Sequence, residues 1–129
     1  RTARHSVETR IPRHLLDAMG LACHDLGFGA DSAAVMFRFY LERVAHTPRL
    51  SARLASLAAS REARGRAGAR FSTKLNDELY AMFLGLEKKS QLKKADVVKG
   101  VIVQMKKDIL DDRRRDVRRS IQGILRLAS

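Results

Sequence analysis

Arg70, Ser72 and Lys74 alternate with Phe71, Thr73 and Leu75 along six consecutive residues. Alternation of period two describes a strand with one buried face, so the other face carries two cations and a hydroxyl. Such a set attracts anions and donates hydrogen bonds; it breaks no covalent bond. A second set lies upstream, where Ser6, Glu8 and Arg10 alternate with Val7, Thr9 and Ile11. A lone short strand is unstable in water, and each segment is the natural partner of the other.

Other chemistries are poorly served. His5, His14, His24 and His46 share no metal-ligand spacing, and Cys23, the single cysteine, rules out an internal disulfide and reads as core. No residue types set a nucleophile beside a base, and neither a G-x-x-x-x-G-K loop nor an H-E-x-x-H pair occurs. The expectation is a protein that is not an enzyme and uses no metal, cofactor or small-molecule ligand. Binding of single-stranded nucleic acid calls for exposed aromatic platforms. Phe37, Phe71 and Phe83 fall on apolar stripes, Tyr80 beside one and Phe28 at a turn, leaving only Phe39 and Tyr40 uncommitted.

The 129 residues, 45% apolar, are enough for one domain with a real core. With 26 basic and 14 acidic side chains the net charge is +12, which favours an anionic partner such as nucleic acid. The excess is uneven: residues 1–45 carry +1, 46–70 carry +5, and 71–110 and 111–129 carry +3 each. No run of eighteen apolar residues exists and no basic-then-apolar signal opens the chain, so a cytoplasmic location with no membrane contact is expected.

The elements that must position the two strands follow from the apolar spacing. Leu15, Met19, Ala22 and Leu26 predict a helix from about Pro12, with Pro12 at its first position. Gly27 to Ser32 breaks it. Asp31 or Ser32 is then suited to cap a helix bearing Ala34, Phe37, Leu41 and Val44. The order recurs at an offset of sixty-four residues. Asn76 caps a helix with Asp77 and Glu78 in its first turn and Leu79, Met82, Phe83 and Leu86 on its stripe. After a break at Ser90 to Lys94, a helix starting within Lys94 to Asp96 carries Val97, Val98, Val101, Ile102, Met105 and Ile109. Between the copies, Leu50, Leu54, Leu57 and Ala58 predict a short helix and Arg61 to Arg70 a flexible basic connector. The tail, with Val117, Ile121, Ile124 and Ala128 on one stripe and five arginines between Arg113 and Arg119, predicts a basic amphipathic helix.

Strand, helix, turn, helix, with Arg10-Ile11-Pro12 closing the first strand and a glycine-centred turn between helices, resembles the ribbon-helix-helix family of DNA-binding proteins. The resemblance implies a mainly α fold of one intertwined domain, residues 1–129. Within it two tandem ribbon-helix-helix units, 4–45 and 69–111, form a single-chain pseudo-dimer with a two-stranded antiparallel ribbon. A basic connector spans 46–68 and a tail helix 112–129. Tandem units in one chain point to accessory proteins of conjugal or T-DNA transfer, hence to plasmid and virulence functions. The implied partners are double-stranded DNA, a relaxase and a partition-type ATPase. The same fold also serves transcriptional repressors and antitoxins. A protein-interaction scaffold, or a peripheral membrane binder acting through the tail, is the reading of a different class.

By position in the strand, the family's base-contacting residues map onto Ser6, Glu8, Arg10, Arg70, Ser72 and Lys74. Arg10, Arg70 and Lys74 can each donate to guanine O6 and N7, a good bidentate contact being worth about 1 to 3 kcal/mol of discrimination. Glu8 departs from the pattern, because a carboxylate near phosphates is repelled unless it accepts from a cytosine amino group. The family's phosphate contacts, at the amino end of the second helix, map onto Ala30, Asp31 and Ser32 and onto Lys93, Lys94 and Ala95. Arg64 and Arg66 of the connector extend them. If about six phosphates are neutralised, log K falls with log salt at a slope of about −5.

Overall fold

The two alternating segments are strands: β1 (His5–Ile11) and β2 (Ala69–Leu75) pair antiparallel, with Ser6 opposite Lys74, Glu8 opposite Ser72 and Arg10 opposite Arg70. These coordinates come from a computed structural model, which describes residues 5–128; the expected start of a first unit at residue 4 and the last residue of the tail lie outside them. Val7, Ile11, Ala69, Phe71, Thr73 and Leu75 are buried on one face of the sheet. Phe71 packs against Phe37 from the helical layer below, ring centroids 4.8 Å apart.

Among the described residues there are six α-helices besides the strands: α1 (Arg13–Asp25), α2 (Ala33–His46), α3 (Pro48–Ala58), α4 (Asp77–Ser90), α5 (Lys94–Lys106) and α6 (Arg115–Ala128). The expected two tandem ribbon-helix-helix units are corrected by this architecture, which is a single antiparallel two-stranded sheet with six helices around one core. Neither half has a sheet of its own, and three helices follow each strand. The physical reason is burial. Leu50, Leu54 and Leu57 of α3 and Val117, Ile121 and Leu125 of α6 belong to the same core cluster as the strands, so neither helix is an appendage to a repeated unit. The terms taken from that resemblance, pseudo-dimer, T-DNA transfer, virulence and conjugation among them, fall with it.

Local signals explain where each helix begins and ends. Pro12 precedes α1 as its extended N-cap rather than its first helical residue. Gly27, at φ 93°, closes α1 with its N–H on the His24 carbonyl and that of Phe28 on the Cys23 carbonyl, the paired bonds of a Schellman ending. Asn76 caps α4, its Oδ1 accepting from the Leu79 N–H at 2.9 Å. Neither Asp31 nor Ser32 caps α2 with its side chain; Ala30–Ser32 forms a 3-10 turn that runs into the helix. Past Lys106 the coil widens into a π-helical segment, Lys107–Asp111.

Two features inside the core were not visible in the stripes. Tyr40 is buried, and its hydroxyl donates to Asp108 Oδ2 at 3.0 Å, while Gln104 Nε2 donates to Asp108 Oδ1 at 3.1 Å. Burial first, then the adjacent Asp108, pushes the Tyr40 hydroxyl far above the usual phenol range. Gly100 of α5 faces Leu54 of α3, and a Cβ built on it would fall 2.5 Å from Leu54 Cδ1 and 3.0 Å from its carbonyl oxygen.

α6 docks by Val117, Ile121 and Leu125, whereas Ile124 and Ala128 of the expected stripe are exposed. Its rotation is set by polar contacts to the end of α1: Arg118 Nη1 donates to Asp25 Oδ2 at 2.6 Å, Arg113 Nη1 donates at 3.2 Å, and Gln122 Nε2 donates to the Leu26 carbonyl at 3.1 Å. The Arg118 hydrogen bond, and then that of Arg113, hold the Asp25 carboxyl below its usual range. A folded value below the unfolded one, near ~3.9, means that the unfolded chain binds more protons in that window, so stability rises with pH through it. Asp25→Asn should therefore lower stability by about 1 kcal/mol near neutrality, a figure discounted for solvent access. The deficit should vanish as pH falls through the folded value, as urea melts of variant and wild type at pH 7 and at successively lower pH will read.

Candidate functional site

All six strand residues singled out from the sequence, Ser6, Glu8, Arg10, Arg70, Ser72 and Lys74, are exposed and share the face of the sheet turned away from the core. Pleating puts them there, because each stands between two residues that point inward. The face carries three cations and one acid. Arg10 and Arg70 are directly opposed, a like-charge pairing that is unfavourable alone. Glu8 Oε2 relieves it by accepting from Arg70 Nη2 at 2.8 Å, and Arg10 Nη1 donates to the Gly68 carbonyl at 3.2 Å. Glu8, Thr9, Arg10 and Arg70 line a shallow hollow at this end of the face.

The phosphate candidates divide between the two sides of the sheet. Lys94 Nζ reaches the Glu8 carbonyl at 3.4 Å, which brings the start of α5, with exposed Lys93 and half-buried Ala95, beside β1. The start of α2 lies beside β2. There Ala33 and Ala34 line, with Leu16, Met19 and residues 70–73, a cleft of about 180 Å³. Ala30 and Asp31 are exposed and Ser32 is half-buried in the turn before it. These two helix starts differ in sign: Lys93 and Lys94 add positive charge at one, while Asp31 occupies the positive end of the other. Thr73 Oγ1, buried among the cleft residues, has no hydrogen-bond partner among the described residues.

Arg64 and Arg66 are exposed on the segment before β2. Gly65, at φ 137°, backs onto Pro12 and His14, and His14 Nε2 lies 2.7 Å from the Glu62 carbonyl. The connector is thereby held against the start of α1, next to the Arg10 end of the sheet. Both helix starts and the connector thus flank one face.

Periodicity missed one participant. His5, at the far end of β1, stacks on Tyr80 with centroids 4.1 Å apart and planes 4° from parallel, and its Nε2 lies 2.8 Å from Asp77 Oδ1. These residues are more than seventy positions apart, so only the strand pairing brings them together. Tyr40, expected to be uncommitted, is in the core, and Phe39 packs half-buried against it. Among the described residues, no group of three or more His, Cys, Asp or Glu is placed to hold a metal ion. No helix among them is long and apolar enough to cross a membrane. Comparison of the chain with protein-family models, with curated proteins and with solved structures finds no match in any of the three.

Proposed function

We propose that the exposed face of the β1/β2 pair binds double-stranded DNA, entering the major groove. The observation that carries this reading is the convergence of Arg10, Arg70 and Lys74, with two serine hydroxyls, on one solvent-facing side of a two-stranded ribbon. The major groove admits a ribbon of this width, and guanidinium and ammonium donors match the acceptors of guanine there. Lys93, Lys94, Arg64 and Arg66 then neutralise phosphates on the flanks, while Asp31 weakens the α2 side. Contact is expected to be lopsided across the groove, with affinity carried mainly by phosphates.

A salt titration of binding to a duplex and to its separated strand tests this, using wild type and the Arg70→Ala, Lys74→Ala double variant. Loss of Arg70 also leaves Glu8 unneutralised against the polyanion. The variant should lose about 2 kcal/mol or more, roughly 30-fold, and the wild type should prefer duplex. Equal affinity for duplex and single strand, unchanged in the variant, would sink the strand face as the contact.

A further inference from the structure

We propose that the outer side of α6 is a second phosphate-binding strip, made by Arg115, Arg119 and Arg126, that takes the sugar-phosphate backbone of a nucleic-acid strand. It goes beyond the strand face and does not depend on it, since α6 packs on α2 and the π-helical segment.

The arginines of the tail are sorted by direction. Arg118 and Arg113 turn to Asp25, and Arg114 Nη2 lies 3.4 Å from Asp116 Oδ2. Arg115, Arg119 and Arg126 are exposed and have no acid within salt-bridge reach among the described residues. At 100° per residue these three lie within about 40° of one another, on the side of the helix opposite buried Val117, Ile121 and Leu125. Like charges at i, i+4, as in Arg115 and Arg119, destabilise a helix; Asp116, the acid between them, turns to Arg114 instead.

The strip is also rigid and of useful length. Packing of α6 and its contacts to Asp25 and Leu26 fix the helix about its axis. At 1.5 Å per residue the strip runs roughly 16 Å, and a strand of B-DNA carries a phosphate about every 3.4 Å of axis, so about five phosphates of one strand pass beneath it. The basic residues from 111 to 129 are all arginine, whose planar fork engages phosphate oxygens in pairs. Exposed Ile124 and Leu127 lie to one flank; an acidic lipid surface is the competing occupant that the test must distinguish.

Four full-length proteins suffice: wild type, an α6 variant (Arg115→Gln, Arg119→Gln, Arg126→Gln), a strand-face variant (Arg10→Ala, Arg70→Ala, Lys74→Ala), and the two combined. Each is titrated with a mixed-sequence duplex between about 50 and 200 mM salt, after thermal melts confirm folding. The α6 changes should reduce the log K against log salt slope by about 2 to 3 in both backgrounds. A slope equal to that of the parent protein in both overturns the strip. Co-sedimentation with phosphatidylserine vesicles that the α6 changes abolish, with the DNA slope unmoved, overturns it in favour of lipid. If instead the strand-face changes alone leave affinity untouched, the major-groove reading fails while the strip stands. No duplex binding by wild type overturns both.

Discussion

Asp108→Ala should cost the fold about 3 to 5 kcal/mol, the range for stripping one partner from a buried, hydrogen-bonded charged set. Asp108 is 2% exposed and holds together side chains from two helices: the Tyr40 hydroxyl, the Gln104 amide and, at 4.0 Å, Arg43 Nε. Arg43 Nε has no hydrogen-bond partner among the described residues, so the Asp108 charge is what offsets it. Removing the carboxyl leaves a buried hydroxyl and amide without their acceptor and takes the counter-charge from Arg43 Nε. Tyr40→Phe removes a single donor and should cost about 1 to 3 kcal/mol. In the Asp108→Ala background the same change should cost nothing or stabilise, because the orphaned hydroxyl goes with it. Urea melts of the two single variants and the double variant give this coupling. Additive losses would mean that the Tyr40–Asp108 bond contributes nothing.

Gly100 should be the helical glycine least tolerant of a side chain. In an exposed helix interior Gly→Ala gains about 1 kcal/mol of propensity, and Gly85 and Gly123, with nothing within 4 Å of an added Cβ, should show that gain. At Gly100 the added carbon would meet both the side chain and the backbone oxygen of Leu54. Leu54 is wholly buried and its carbonyl belongs to α3, so relief requires α3 and α5 to separate. Overpacking of this kind costs about 1 to 3 kcal/mol. Gly100→Ala should be destabilised despite its better propensity, and Gly100→Val more so. The urea midpoints of the Gly85, Gly100 and Gly123 alanine variants decide it: a Gly100→Ala midpoint at or above wild type would mean that no such close approach exists.

What the sequence yields depends on the range of the interaction. Period two marked both strands and the face of each, and Asn76 was legible as a cap because its acceptor serves a backbone N–H three residues on. The α5 start at Lys94 fell within the expected window. Longer-range facts left no local trace. Tyr40 lies off the stripe expected for α2, although it follows Phe37 by three residues, and its hydrogen-bond partner, Asp108, is sixty-eight residues away. On α6 the buried stripe runs through Leu125 and not Ile124, a choice that spacing cannot make when both are apolar and adjacent. The fold class failed for a related reason. A repeated strand and helix pattern does not reveal whether the apolar segments after each copy are appendages or core, and α3 and α6 proved to be core.

The pairing of β1 with β2 has a consequence during synthesis. β1 leaves the ribosome some sixty residues ahead of its hydrogen-bonding partner, and of the Phe71 side of the sheet with it. At about 5 to 20 residues per second that is a delay of roughly 3 to 13 seconds, during which Val7 and Ile11 lie on an open strand edge of the kind that recruits other chains. Sequence-distant pairing also slows folding after release. The unpaired β1 is therefore exposed to misassembly in that interval, and its alternation with Glu8 and Arg10 places charges on that edge for as long as it waits.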